Sequence, residues 1–99
     1  MESVNYSNHA KKRRVQRGIS SDIVDVVLDF GRRDYDNRGA CRYFLGKLEK
    51  QRVSRAYPDL SREVGRKLDT VVVVATDDTK QVITAFVRKR KTRHFRKFQ

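Results

Sequence analysis

His9, Arg13 and Arg17 fall at every fourth position near the start of this chain, in the run His9-Ala10-Lys11-Lys12-Arg13-Arg14-Val15-Gln16-Arg17-Gly18-Ile19. On a helix that spacing sets an imidazole and two guanidiniums along one side. Imidazole titrates near neutral pH and can exchange a proton with a ribose hydroxyl. Arginine offers a two-pronged fork to a phosphate and stabilises charge developing on it. The set suits phosphodiester cleavage without a metal. A plainer reading stays open: His9 only hydrogen-bonds backbone at the helix start and Arg13 and Arg17 are solvated, since three matched positions in an arginine-rich helix are by themselves a weak motif.

The elements that must position these residues can be read from the pattern. Ser7 caps a helix over about 8–17 that stops at Gly18, with Ala10, Val15 and the stem of an arginine facing the core. Ser20 or Ser21 caps a second helix, with Asp22 and Asp25 suited to its positive end. Ile23, Val24, Val27, Leu28 and Phe30 lie on its buried side, and Gly31 is expected to supply a left-handed stop. Strand chemistry follows: a hairpin through Asn37-Arg38-Gly39, and a second from Thr70–Thr76 to Gln81–Arg88 through Asp77-Asp78-Thr79-Lys80. In the last strand the two-residue period points Ile83, Ala85 and Val87 toward the helices and Val82, Thr84, Phe86 and Arg88 away. The predicted fold is α+β, two N-terminal helices on one face of a four-stranded, mainly antiparallel sheet. A single domain is expected over 1–88, with an inserted loop at about 48–69 and a basic tail at 89–99. The loop holds a possible helical turn after Pro58, and its length is unusual for a compact domain.

Charge narrows the partners. The 24 Lys and Arg against 12 Asp and Glu give a formal charge of +12 in 99 residues, a potential that attracts polyanions. RNA, DNA or an acidic protein fit. A membrane does not, because the longest apolar run, Val71 to Ala75, is far short of the roughly 20 residues a span needs. No stretch reads as a signal peptide, which points to the cytoplasm. Cys41 is the one cysteine, read as a half-buried strand residue, and no Cys/His set has zinc spacing, so neither a metal site nor a cofactor is expected.

Arg14, Arg42 and Arg88 extend the positive surface, as do Arg32, Arg33 and Arg38 around the first hairpin. In the tail, Lys89, Arg90, Lys91, Arg93, Phe95 and Phe98 mix cations with rings that can stack on unpaired bases. The competing reading for the tail is a solvated terminus, with His94 a solvated neighbour of Arg93. Tyr43, or Tyr35, is either packing or a proton-transfer partner for His9.

Ser7-Asn8-His9-Ala10, Arg13 and Arg17-Gly18-Ile19-Ser20, followed by an aspartate-rich helix, resemble an uncharacterised bacterial domain family with a His-Ala, Arg, Arg-Gly-Ile pattern. That family is grouped here with the compact toxin-like ribonucleases of the barnase, EndoU, colicin and RelE-like (BECR) assemblage. The resemblance covers about three quarters of the chain and is absent from 48–69 and the tail. It implies metal-independent endoribonuclease activity by attack of the ribose 2′-hydroxyl on phosphorus, with a cyclic phosphate product. It assigns His9 as general acid or base, Arg13 and Arg17 as phosphate clamps, and Thr84 with Arg88 as the polar contribution of the last strand. An acidic antitoxin or immunity protein is the implied partner. Two alternatives remain: a non-catalytic nucleic-acid-binding module, and a domain that uses its charge to dock an acidic protein.

Overall fold

The computed structural model describes residues 4–36, 38–60, 65–77 and 79–88. The elements run α1 (Asn8–Gln16), α2 (Ser21–Phe30), β1 (Arg32–Tyr35), β2 (Ala40–Phe44), α3 (Lys47–Ala56), a 3-10 turn (Gly65–Asp69), β3 (Thr70–Ala75) and β4 (Val82–Val87). The four strands form one antiparallel sheet in the order β1-β2-β3-β4. The architecture is α+β, as the pattern predicted.

The starts of α1 and α2 follow from a short hydroxyl side chain: Ser7 accepts from the Ala10 N–H and Ser20 from the Ile23 N–H, satisfying donors the first turn leaves free. Helix α1 ends as the sequence implies. Gly18 sits at φ 66, and the Gly18 and Ile19 amides reach back to the Val15 and Arg14 carbonyls at 3.1 and 2.9 Å, a left-handed stop that glycine adopts without strain. Gly31 does not repeat this. Its backbone is extended, at φ −75 and ψ 158. A side chain is excluded there by close approach, since a Cβ would lie 2.3 Å from the Val27 oxygen and 3.0 Å from the Phe44 oxygen.

Helix α2 buries Ile23, Val24, Val26 and Val27 against β2 and β3, while α1 lies along β4. The core joins these side chains to Ala10, Ile19, Leu45, Val53, Leu68, Val72, Val74, Val82 and Ala85. Val15 is not part of it. It is 69% exposed, and Arg14 takes its expected place, its guanidinium over the Tyr6 ring at 5.4 Å.

The segment expected as an inserted loop holds α3. At its start the Gly46 N–H donates to the Glu49 carboxylate at 2.8 Å, Val53 is fully buried, and Phe30 meets Tyr57 edge to face. Two ion pairs fasten it, Arg32 to Glu49 and Lys50 to Asp69. Residues 58–60 begin a further helical turn.

Strand β4 also departs from strict alternation. Val73 pairs with Thr84 but Val74 pairs with Val82, so Ile83 is an extra residue. Such a bulge resets the side-chain phase. Val82 therefore points into the core and Ile83 outward, the reverse of the expectation, whereas Ala85 and Val87 point inward as predicted.

Candidate nucleic-acid interface

The His9 side of α1 lies beside the sheet edge. The chain before the helix fixes it there: Val82 N–H donates to the Asn5 carbonyl at 2.7 Å and Ser7 N–H to the Val82 carbonyl at 3.0 Å. Arg17 ties down the other end, donating to the Ala85 carbonyl at 2.7 Å. Together they cover an edge that would otherwise present open backbone groups. With Arg17 directed at β4, the fourfold spacing sets Arg13 and His9 on the same side of the helix, each about 6 Å farther along the axis. His9 and Arg13 are exposed, and neither is held by a side-chain partner among the described residues. No acidic residue stands within α1, which carries Lys11, Lys12, Arg13 and Arg14.

Not every predicted site residue joins that side. Arg14 is turned inward, donating to the Ile19 carbonyl at 2.9 Å. Its Nε and the Tyr6 hydroxyl are buried without a hydrogen-bond partner among the described residues. Burial pushes the Tyr6 phenol above its ordinary pKa, with Arg14 opposing. Thr84 is half-buried and shares a cross-strand row with Val73 and Arg42. Since Ala85 faces the helices, Thr84 faces away from them.

That outer sheet face gathers a second group. Arg42 pairs with Asp34 at 3.2 Å. Arg88 lies over the Phe44 ring at 5.2 Å, and Phe86, paired with Val71, faces the same side. A shallow depression of about 610 Å³ touches Arg38, Arg42, Val73 and Phe86. Tyr43, one residue from Arg42, necessarily faces the helices, where it packs against the core under the Arg33 guanidinium at 5.9 Å. Arg42 and Tyr43 thus serve different surfaces. Lys89, Arg90, Lys91, Arg93, His94, Phe95 and Phe98 lie outside the described residues.

Sequence reasoning missed a third feature. Helix α2 packs on β2 and β3 and helix α1 on β4, and they leave open the helix side of the sheet toward β1 and the β3–β4 turn. The result is a cleft of about 500 Å³ whose lining includes Leu28, Arg33, Tyr35, Cys41, Tyr43 and Lys80. Cys41 is buried, not half-buried. Interaction with the Tyr35 phenol, then with Tyr43, raises the Arg33 pKa further, so this guanidinium is permanently charged. The alternation of aromatic and cationic residues in Arg33-Asp34-Tyr35 and Cys41-Arg42-Tyr43 was a usable signal, because residues two apart share a sheet face.

Among the described residues, no three His, Cys, Asp or Glu side chains cluster as metal ligands, and no helix is long and apolar enough to cross a membrane.

The architecture is thus a small α+β domain with a basic helix laid along an edge strand and two further cationic, aromatic surfaces on its sheet. Residues 6–87 match the family described as a domain of unknown function (DUF4258), and the chain belongs to that family. No curated protein and no solved structure matches it.

Proposed function

We propose that this domain is an RNA-directed, metal-independent endoribonuclease of the toxin-like BECR assemblage, working on its substrate along α1. The observation that carries the reading is that His9 and Arg13 are exposed and without a side-chain partner among the described residues on an acid-free helix, with Arg17 anchored beside them. In the reaction His9 accepts the proton of a ribose 2′-hydroxyl, and the freed oxygen attacks the adjacent phosphorus. The P–O5′ bond breaks, the departing oxygen takes up a proton, and a 2′,3′-cyclic phosphate remains. Arg13 and the free nitrogens of Arg17 neutralise the phosphate as its charge builds. The outer face, with Arg42, Arg88 and Thr84, holds flanking RNA. An acidic antitoxin or immunity protein in the cytoplasm is the fitting regulator, since a positive surface is blocked by a negative one.

A second reading is favoured by one observation. Arg17 is engaged by the Ala85 carbonyl and Thr84 faces away from α1, so the same cations could simply neutralise phosphates in a non-catalytic binding module.

Wild type and His9→Ala, incubated with total RNA in EDTA, separate the two. The enzyme reading expects cyclic-phosphate-ended fragments from wild type and a rate lower by about 10²- to 10⁴-fold in the variant, the usual worth of general acid–base catalysis. Intact RNA that shifts in a gel with both proteins would leave the binding module.

A further inference from the structure

The cleft is a concave site on the helix side of the sheet, bordered by all four strands and separate from the outer face. Its apolar floor includes Leu28, Val74 and Val82, one wall carries Tyr43 with Arg33 laid over it, and Lys80 stands on the opposite rim. No carboxylate lines it among the described residues. Lys80 is held at φ 48, a backbone setting that directs the turn and that few residues adopt. The ligand this lining fits has a flat, apolar body and an anionic edge.

The cleft is also continuous with the start of α1. Val4 and Asn5 form part of its wall, and Asn5 is fastened to the far side by bonds to Val82 and Thr79. His9 follows Asn5 by four residues, no more than about 14 Å of chain even if fully extended. A volume of about 500 Å³ lies within the roughly 300–1,000 Å³ of small-molecule sites and takes a purine or a pyrimidine.

We propose that this cleft is a base-binding pocket for one unpaired nucleotide of the RNA engaged by α1, its base against Tyr43 and Arg33 and its phosphate between Arg33 and Lys80. Phenol rings and guanidinium planes both stack on unpaired bases. A base held here sets which phosphodiester reaches His9, so the cleft selects the site of action. The inference rests on the RNA reading above but not on cleavage.

The test uses the full chain carrying His9→Ala, so that RNA stays intact, and an eight-nucleotide single-stranded RNA labelled for fluorescence anisotropy. Arg33→Gln is expected to weaken binding and to reduce the salt slope by about 0.7, the contribution of one phosphate contact on a single strand. Tyr43→Leu is expected to cost about tenfold in affinity, toward the lower end for loss of a stacking ring. Because Tyr43 also packs on the core, the same RNA carrying 4-thiouridine is photocrosslinked to the parent protein and the adduct mapped by mass spectrometry. An adduct at Cys41 or Tyr43, which line the cleft and not the outer depression, supports the pocket. RNA binding that is insensitive to Arg33→Gln, with adducts only on α1 or the outer face, overturns the pocket and leaves the RNA reading standing. Absence of salt-sensitive RNA binding by the parent protein overturns both.

Discussion

Arg17→Ala tests whether one guanidinium both closes the sheet edge and touches RNA. In the structure its Nη1 donates to the Ala85 carbonyl at 2.7 Å, across 68 positions of sequence, and it helps hold α1 against β4. A hydrogen bond with one charged partner contributes about 1.5–3 kcal/mol. Arg17 is exposed, so water can replace it at the carbonyl, and the lower end applies, about 1.5 kcal/mol. At about 4–8 °C per kcal/mol for a domain of this size, the melting temperature should fall by roughly 6–12 °C. The remaining nitrogens are free to meet a phosphate, so the slope of log affinity against log salt should also fall by about 0.7 on single-stranded RNA. Differential scanning fluorimetry and anisotropy titrations at several salt concentrations read the two effects separately. Lower stability with an unchanged slope would remove Arg17 from RNA contact and leave it as an edge cap. A smaller slope with unchanged stability would refute the anchoring of α1 through Ala85.

Two further outcomes test the scaffold. Val53→Ala deletes two methyl groups from a fully buried site on α3; at about 0.8 kcal/mol each plus a cavity term this is roughly 2–3 kcal/mol, read as a urea midpoint about 2 M lower at unchanged slope. A change under about 0.5 kcal/mol is what a surface site gives, and it would show that α3 is not docked. The Arg32 guanidinium, helped by the Glu49 and Gly46 amides and opposed by burial, holds the Glu49 carboxyl below its ordinary 4.5. Its stabilising effect is therefore complete above that pH and is lost as the pH falls through the depressed folded value. Glu49→Gln should lower stability at neutral pH and flatten the acid limb below about 4.5, whereas parallel wild-type and variant profiles would show that the pairing carries no linkage.

What the sequence made legible is what local chemistry decides. Ser7 and Ser20 announce helix starts because a hydroxyl meets amides two or three residues on. Gly18 announces a stop because glycine adopts the left-handed backbone of a helix end without strain. The turns at Asp36 and Asp77 are legible for the same reason, since each carboxylate accepts amides just beyond it. Helix α3 was hidden because Val53 is its one buried apolar side chain and Gly46 replaces the usual capping hydroxyl. Eight residues of Lys, Leu, Glu, Gln, Arg and Ala type between Gly46 and Pro58 were the available signal, as these are good helix formers. The pairings that dock it, Arg32 with Glu49 and Lys50 with Asp69, span 17 and 19 positions and leave no local mark. The phase of β4 was misread for a related reason: a bulge at Ile83 is a property of two strands together.

The candidate site divides along the same line. The row His9–Arg13–Arg17 follows from helix periodicity, but the Arg17 bond to β4 and the inward turn of Arg14 depend on what packs beside the helix. Of the cleft, only the alternation of Arg33 with Tyr35 and Cys41 with Tyr43 was legible; its concavity depends on how α1 and α2 sit on the sheet.

The distribution of acids argues that the positive charge is more than a device for solubility. A surface kept soluble by charge alone has no need to segregate its signs. Here Asp36 is held below its ordinary pKa by the Arg38 and Ala40 amides of its turn, and Asp77 by the Thr79 hydroxyl and then the Thr79 amide, and Glu49 and Asp69 are drawn into the pairings that dock α3. Asp22, Asp25 and Asp29 stand together on α2, where burial and then their mutual repulsion raise the Asp25 pKa. An aspartate moved from that stripe to α1 would relieve repulsion on both helices. The fold instead keeps three aspartates on α2 and leaves α1 without an acid, an uneven placing of charge that is the arrangement the proposed polyanion partner would need.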